Sequence, residues 1–237
     1  MGEIIRKHAS IDAILTDLRA SHQMALARGG LWKSLAEQRL GPVVTAVTTI
    51  EADLAAVETI AGPALAALEA ENVSADRLLG KVSDDVWNAV GRPANDPYYS
   101  LLFPGGYGRY ADGHVNEQPA RMALLVELLR RGVHPLLSAD VAEPCAQAVE
   151  TAASALREKV EAAGVLSAKL EMLGRMRDAV ARAAQMELSA LKRIYKAHGL
   201  SEAEIHSVIP AHERAGGKKN GATPKAKGLA EKATGEA

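Results

Sequence analysis

Histidines and carboxylates come first, because a helical-bundle metal site needs a glutamate three residues before a histidine so that both project from one face. The chain has seven histidines. The residues three positions before them are Ile5, Arg19, Ala111, Arg131, Tyr195, Ala203 and Ile209, and none is a carboxylate. His212-Glu213 opens like a zinc-protease motif, but Gly216 stands where the second histidine belongs. Cys145 is the only cysteine, which excludes an internal disulfide and a cysteine-cluster zinc site within one chain. Its position on an apolar helix face predicts a buried, inert thiol, and a lone thiol points to a reducing, cytoplasmic setting. No metal and no cofactor is expected.

Nucleotide and acyl-transfer motifs are absent as well. Gly105-Gly106-Tyr107-Gly108 is glycine-rich but lacks the lysine and hydroxyl residue of a phosphate loop, and it has no βαβ context. No nucleophile elbow or triad pattern appears, so no catalytic residue is nominated.

The one distinctive segment is Asp96–Asn116, which holds five of the eight aromatic side chains: Tyr98, Tyr99, Phe103, Tyr107 and Tyr110. Arg92, Asp96, Arg109, Asp112 and His114 surround them. Residues 98–103 and 107–110, joined by Pro104-Gly105-Gly106, have the pattern of a small β-hairpin. Three roles are open. The rings could close the end of a helical core. Tyr98, Tyr99, Phe103, Tyr107, Arg109 and Tyr110 could instead form a contact surface for a protein partner or another copy of the chain, since tyrosine combines apolar area with a polar tip. Asp112 and His114 could alternatively line a small-ligand or enzyme site, because loops carry function out of proportion to their length. His22 and His134 read as structural or surface residues.

The elements that must position this segment are helical. Hydrophobic residues make up 48% of the chain but aromatics only 3%, and alanine dominates the apolar share. Alanine loses no side-chain entropy in a helix and lets helices approach closely. Residues 3–27 read as a first helix with Ile4, Ile11, Ile14, Leu15, Leu18, His22 and Ala25 on one stripe, stopped by Gly29-Gly30. Residues 31–71 are helical in pattern, with Val47, Ile50, Leu54, Val57 and Ile60 as a seam. Gly41-Pro42 and Gly62-Pro63 punctuate them, as breaks between helices or as kinks in one. Ser74 and Ser83 are read as caps of two further short helices, and Asn116 as the cap of a third that ends near Gly132.

From Asp140 to His198 the chain predicts one very long helix, opened by an Asp140–Glu143 capping box and closed by Gly199. Its seam runs through Cys145, Val149, Ala152, Leu156, Val160, Ala163, Leu166, Leu170, Leu173, Met176, Val180, Ala184, Leu188, Leu191 and Ile194. The step averages about 3.5 residues, the coiled-coil period. A helix of that length needs its seam covered, and residues 3–27 and 31–71 are the segments long enough to do so. Ser201 and Glu204 have the spacing of another capping box, opening a short helix that Pro210 ends.

The expected fold is therefore all-α. Residues 1–215 form a single domain, an elongated, antiparallel, coiled-coil-like helical bundle carrying the irregular loop 92–116. Residues 216–237 read as a disordered Lys-, Ala- and Gly-rich tail. The net charge is −1 overall, +3 for the tail and −4 for the 215 residues before it. The body therefore attracts neither nucleic acid nor anionic membrane, and the tail lysines could make weak, salt-sensitive phosphate contacts at most. No apolar stretch approaches the roughly 20 residues of a membrane span, and Met1–Arg6 turns charged too early for a signal peptide. The function expected is structural: a self-associating or scaffolding interaction protein. A ligand-binding or catalytic site at 92–116 is the alternative, and a pore-forming or membrane-remodelling bundle with an apolar tongue at 97–104 is a more distant one.

Overall fold

A computed structural model of the chain describes residues 9–210. The tail, His212-Glu213 and the beginning of the expected first helix lie outside the described residues. The described chain is all-α: 83% of it is helical and it contains no strand. The helices are α1 (Ile11–Arg28), α2 (Gly30–Arg39), α3 (Gly41–Ala89), α4 (Pro97–Leu102), α5 (Gly108–Ala111), α6 (Gln118–Arg130), α7 (Ala139–Ala197) and α8 (Glu202–His206). A 3₁₀ turn, Val115–Glu117, precedes α6. The chain divides into two compact units: residues 9–44 with 181–210, and residues 45–180.

The first unit contains α1, α2, the final part of α7, and α8. Ser10 caps α1, its side chain accepting from the Ala13 N–H, so that helix starts at Ile11 rather than near residue 3. Gly29, at φ 74°, takes the left-handed conformation between α1 and α2 that costs a residue without Cβ little. Ile14, Leu15, Leu18, Ala25, Trp32 and Ala36 are buried, as are Leu188, Leu191 and Tyr195. The Tyr195 ring lies 4.4 Å from that of Trp32 and its hydroxyl donates to the Trp32 carbonyl at 2.9 Å. Burial pushes the Tyr195 phenol up to about 12. The seam expected at Ile194 is thus shifted by one residue, with the larger ring taking the buried position. Gly199 ends α7 in a Schellman arrangement, with Gly199 N–H bonded to Lys196 O and Leu200 N–H to Tyr195 O. The Ser201–Glu204 capping box is present as the sequence predicts.

The second unit is built on α3 and α7. Glu51 of α3 meets Arg177 of α7 at 3.5 Å, whereas Ala75, Leu79, Val82 and Val86 share a core with Cys145, Ala146, Val149, Ala153 and Leu156. Rising residue numbers on α3 therefore match falling numbers on α7, and the two run antiparallel. Met122, Leu125, Val126 and Leu129 of α6 complete that core. Each fully buried leucine contributes roughly 1.5–3 kcal/mol by leaving water.

Four expectations change here. Helix α3 does not stop at Gly62-Pro63, Ser74 or Ser83; it continues through all of them to Ala89. Pro63 deprives the Thr59 carbonyl of its helical donor, but Thr59, Gly62 and Pro63 are all exposed, so water can take that place. Ser83 is buried and holds a tertiary hydrogen bond instead of capping a helix. The seam is also rotated at two points. Ala61, not Ile60, is buried on α3, and on α7 Met176 is exposed while the adjacent Arg177 is half-buried against Glu51. At the start of α7 the first amides, Val141 and Ala142, bond to Ser138 O, so Asp140 lies inside the first turn and the expected capping box is not formed. Finally, residues 97–102 and 108–111 are short helices, so the expected hairpin is replaced.

Because Pro63 is exposed and the helix runs through it, Pro63→Ala restores a hydrogen bond without disturbing packing. It should raise stability by about 1–3 kcal/mol, measured as a shift of the urea midpoint. No change, or a loss, would mean that the proline ring has a role in α3 beyond tolerating its position.

Candidate functional site

The segment 92–116 sits on α3 and α6, and each of its turns follows from local chemistry. Asp96 followed by Pro97 is a helix start: the carboxylate accepts from the amides of Tyr98 (2.7 Å) and Tyr99 (3.2 Å), and proline fits the first turn. The spacing of Tyr99, Leu102 and Phe103 then turns one face of α4 inward, leaving Tyr98 and Leu101 exposed. Gly105 and Gly106, at φ 77° and 95°, reverse the chain in a conformation that only glycine adopts readily.

Three rings close the core. Phe103 lies 5.3 Å from the ring of Tyr99 and 6.0 Å, edge-on, from that of Tyr110. The Tyr99 hydroxyl pairs with Ser83 Oγ at 2.8 Å. The Tyr110 hydroxyl donates to the Leu102 carbonyl, one of the acceptors that the end of α4 leaves free. Burial raises the Tyr110 phenol, against a smaller opposing effect of Arg109. From α6, the Arg121 guanidinium reaches the carbonyls of Tyr110 and His114, both at 3.4 Å, and the carboxylate of Glu117 at 3.2 Å. Buried Gln118 donates to Asp76 at 2.7 Å and ties the start of α6 to α3.

Sequence reasoning missed the most chemical-looking pair. His134, 2% exposed, brings Nε2 to 3.0 Å from Asp96 Oδ2, while its Nδ1 accepts from the Leu136 N–H at 3.1 Å. An amide can only donate, so Nδ1 holds the lone pair and Nε2 carries the proton given to Asp96. Both ring nitrogens are therefore engaged, and the imidazole has none left to take a proton from a nucleophile. An aspartate–histidine pair that would suggest catalysis serves here as a clasp between the start of α4 and the turn before α7. The Asp96-Pro97 start signal was available in the sequence, whereas its pairing across 38 residues was not.

The expected site residues separate into two groups. Tyr99 is half-buried, and Phe103 and Tyr110 are buried; all three are occupied in the core. Tyr98, Tyr107 and Arg109 are exposed. The Tyr98 ring meets His134 edge-on at 5.9 Å. The Tyr107 ring lies over Gly80 of α3, where an added Cβ would sit 3.6 Å from it. Asp112 and His114 are both exposed and share no hydrogen bond; Asp112 turns its carboxylate back over Gly108, and His114 contributes its carbonyl to Arg121. Among the described residues no three histidine, cysteine, aspartate or glutamate side chains are grouped to hold a metal ion. Depressions on the second unit lie between α3 and α7, around Leu78 and Ala152, and between α6 and α7, around Val126 and Ala153; residues 92–116 line neither. Cys145 is buried in the core, and burial first, then the charge of Asp85, pushes its thiol up despite Lys81 nearby. Such a thiol is a poor nucleophile.

Loss of partial hydration pushes the Asp96 carboxyl up, but the amide of Tyr99, the His134 side chain and the amide of Tyr98 outweigh it. Its pKa falls below the ordinary 3.8. A carboxyl depressed in the folded state contributes stability in full above its unfolded value and loses it as pH falls through the folded one. The melting temperature should accordingly drop as pH is taken below about 4, and Asp96→Asn should flatten that drop; an unchanged acid profile in Asp96→Asn would remove the clasp from the account. His134→Ala opens a cavity and leaves the Leu136 amide without its acceptor, at a cost of about 2–4 kcal/mol by chemical denaturation.

Compared with family models, with characterised proteins and with solved structures, the chain matches none.

Proposed function

We propose that this chain is a cytoplasmic structural or protein-interaction component, a coiled-coil-like helical bundle that acts by presenting surfaces rather than by chemistry. The observation that carries the reading is the division of labour within 92–116 and its surroundings. Its polar groups that are withdrawn from water are engaged in caps and clasps, while Tyr98, Leu101 and Tyr107 are exposed, with Leu136 exposed beside His134. Tyrosine and leucine on a fixed support lose little entropy on binding, which is how interface anchors obtain their affinity. No single helix among the described residues is long and apolar enough to cross a membrane, although the bent pair α2–α3 passes by length and composition. Leu102 and Phe103, two of the apolar residues of the expected membrane tongue, are core residues, whereas Leu101 is exposed.

Exposed anchors can be truncated without unfolding the protein. Tyr98→Ala with Leu136→Ala should lower the melting temperature only slightly, through the lost Tyr98–His134 ring contact, and weaken retention of a captured protein partner by about tenfold or more. A turnover or metabolite-binding activity that disappears in Asp112→Ala with His114→Ala, at unchanged melting temperature, would replace this reading with an enzymatic one.

A further inference from the structure

We propose that the groove between α3 and α7, beyond the start of α6, takes a helix of a partner protein whose inward stripe is small or apolar and whose flanks carry lysine or arginine.

One end of this groove is already filled. On α3 the residue after each covered position points to the side where α6 lies. Asp76 follows buried Ala75 and accepts from Gln118 of α6; Gly80 and Ser83 follow buried Leu79 and Val82 and meet Tyr107 and Tyr99. On α7, Glu150 follows buried Val149 and pairs with Arg130 of α6. Helix α6 starts at Gln118, so toward lower numbers on α3 the same row loses its cover. It continues through Val73, Glu69, Leu65, Gly62 and Glu58 in steps of three and four, and all five are exposed. The corresponding row of α7, one residue after each covered position, runs on through Glu161, Gly164, Ser167, Glu171 and Asp178, again all exposed. Steps of three and four keep each row on one side of its helix, and α6, which touches both rows, shows that the two sides are the same.

Shape and charge together define the occupant. The Glu51–Arg177 contact sets the levels, so Gly62 stands level with residue 166, between Gly164 and Ser167. Both walls are thus cut back nearly to backbone at one height. A Cβ on Gly62 or Gly164 would meet no atom within 4 Å, so no neighbour in the chain requires glycine there, although glycine is disfavoured inside helices. A second backbone approaching closely would require it. Since α6 fills the same groove as a helix, the occupant that continues it is also a helix. Its flanks follow from charges that lie in the two rows themselves. Glu58, Glu69, Glu161 and Asp178 have no cationic partner among the described residues, and Glu171 has only Arg175. Arg157, beside α6, is the one cation that either row carries here. A helix with lysine or arginine on both flanks pairs with these rims, whereas the same face of a second copy would bring carboxylate to carboxylate. Residues 211–237 supply lysine but no apolar periodicity to lie along the groove.

The test is binding of the full chain to a labelled peptide of about 20 residues, about 30 Å of helix, with alanine and leucine on one stripe and lysine on both flanks. Fluorescence anisotropy at low salt should give a dissociation constant of roughly 10–100 µM, as befits a small interface. Glu58→Lys with Glu69→Lys should weaken binding at least about tenfold and reverse the preference toward a glutamate-flanked peptide. Gly62→Leu with Gly164→Leu should raise the melting temperature, because the space around both is open, yet weaken binding at least about tenfold. Asp53→Lys with Glu71→Lys, which precede covered positions and so lie on the other side of α3, should change affinity by less than about twofold. No binding at about 1 mM peptide overturns the proposal. So does equal binding of the unsubstituted chain to the glutamate-flanked peptide, or to a glycine-serine peptide carrying the same lysines. An equal loss in the opposite-side variant, or undiminished binding in the glycine variant, overturns it as well. The groove is separate from the exposed tyrosines of 92–116, so its failure leaves the interaction reading of that segment in place. Peptide binding lost in Tyr98→Ala with Leu136→Ala would move the site to that segment and reject the groove.

Discussion

The constraint on which the second unit depends is that α3 and α7 must each cover one stripe. Helices of this length are not stabilised by propensity alone, since nucleation is costly and each residue adds little. They persist because Leu79, Val82 and Val86 of α3 and Val149 and Leu156 of α7 leave water together, with α6 covering the same cluster. Where α6 is present the core is three helices deep and includes leucines, methionine and aromatic rings. Toward residues 47–61 and 163–173 the buried positions narrow to a single line of valine, isoleucine, alanine and leucine. Alanine at Ala61 and Ala163 permits close approach but buries little area, so this stretch has fewer apolar atoms holding it.

The segment between α3 and α6 follows from the same need. A core cut off at the ends of its helices would leave Leu102, Phe103 and Tyr110 with water on one side. Instead the chain folds them inward and uses hydrogen bonds from fixed neighbours to hold the irregular backbone: Ser83 to Tyr99, Tyr110 to Leu102, Arg121 to two carbonyls, and Asp96 to His134. Buried polar groups without partners are costly, and nearly every polar group of this segment that is withdrawn from water has one. This is why the residues most suggestive of chemistry are structural here. His134, held through both ring nitrogens, has no free lone pair left for a substrate.

The site was only partly legible beforehand. Residue type identified the aromatic segment correctly as unusual, and the Asp96-Pro97 pair with Tyr99, Leu102 and Phe103 following could have marked a helix there. What remained invisible was which ring faces in. Tyr98 and Tyr99 are adjacent and chemically identical, yet about 100° of helical rotation puts one in solvent and the other against Ser83. The same rotation explains Ile60 and Met176. Reading by size favours the larger apolar side chain, whereas burial follows angular position, so Ala61 and Arg177 occupy the covered side.

The sequence by itself determined the helical class, the extent of α7 to within about a residue at each end, its termination at Gly199 and the Ser201–Glu204 cap. These are local properties, set by periodicity, by a glycine able to adopt positive φ, and by side chains reaching amides three residues away. Only the tertiary structure decided that α3 runs unbroken through Pro63, Ser74 and Ser83, that residues 97–102 are helical, and that His134 serves Asp96. Each of those outcomes depends on partners distant in sequence or on which side of a helix faces water. A breaker residue breaks a helix only where its lost hydrogen bond cannot be replaced, and a cap residue caps only where the chain turns; neither condition is written in the residue itself.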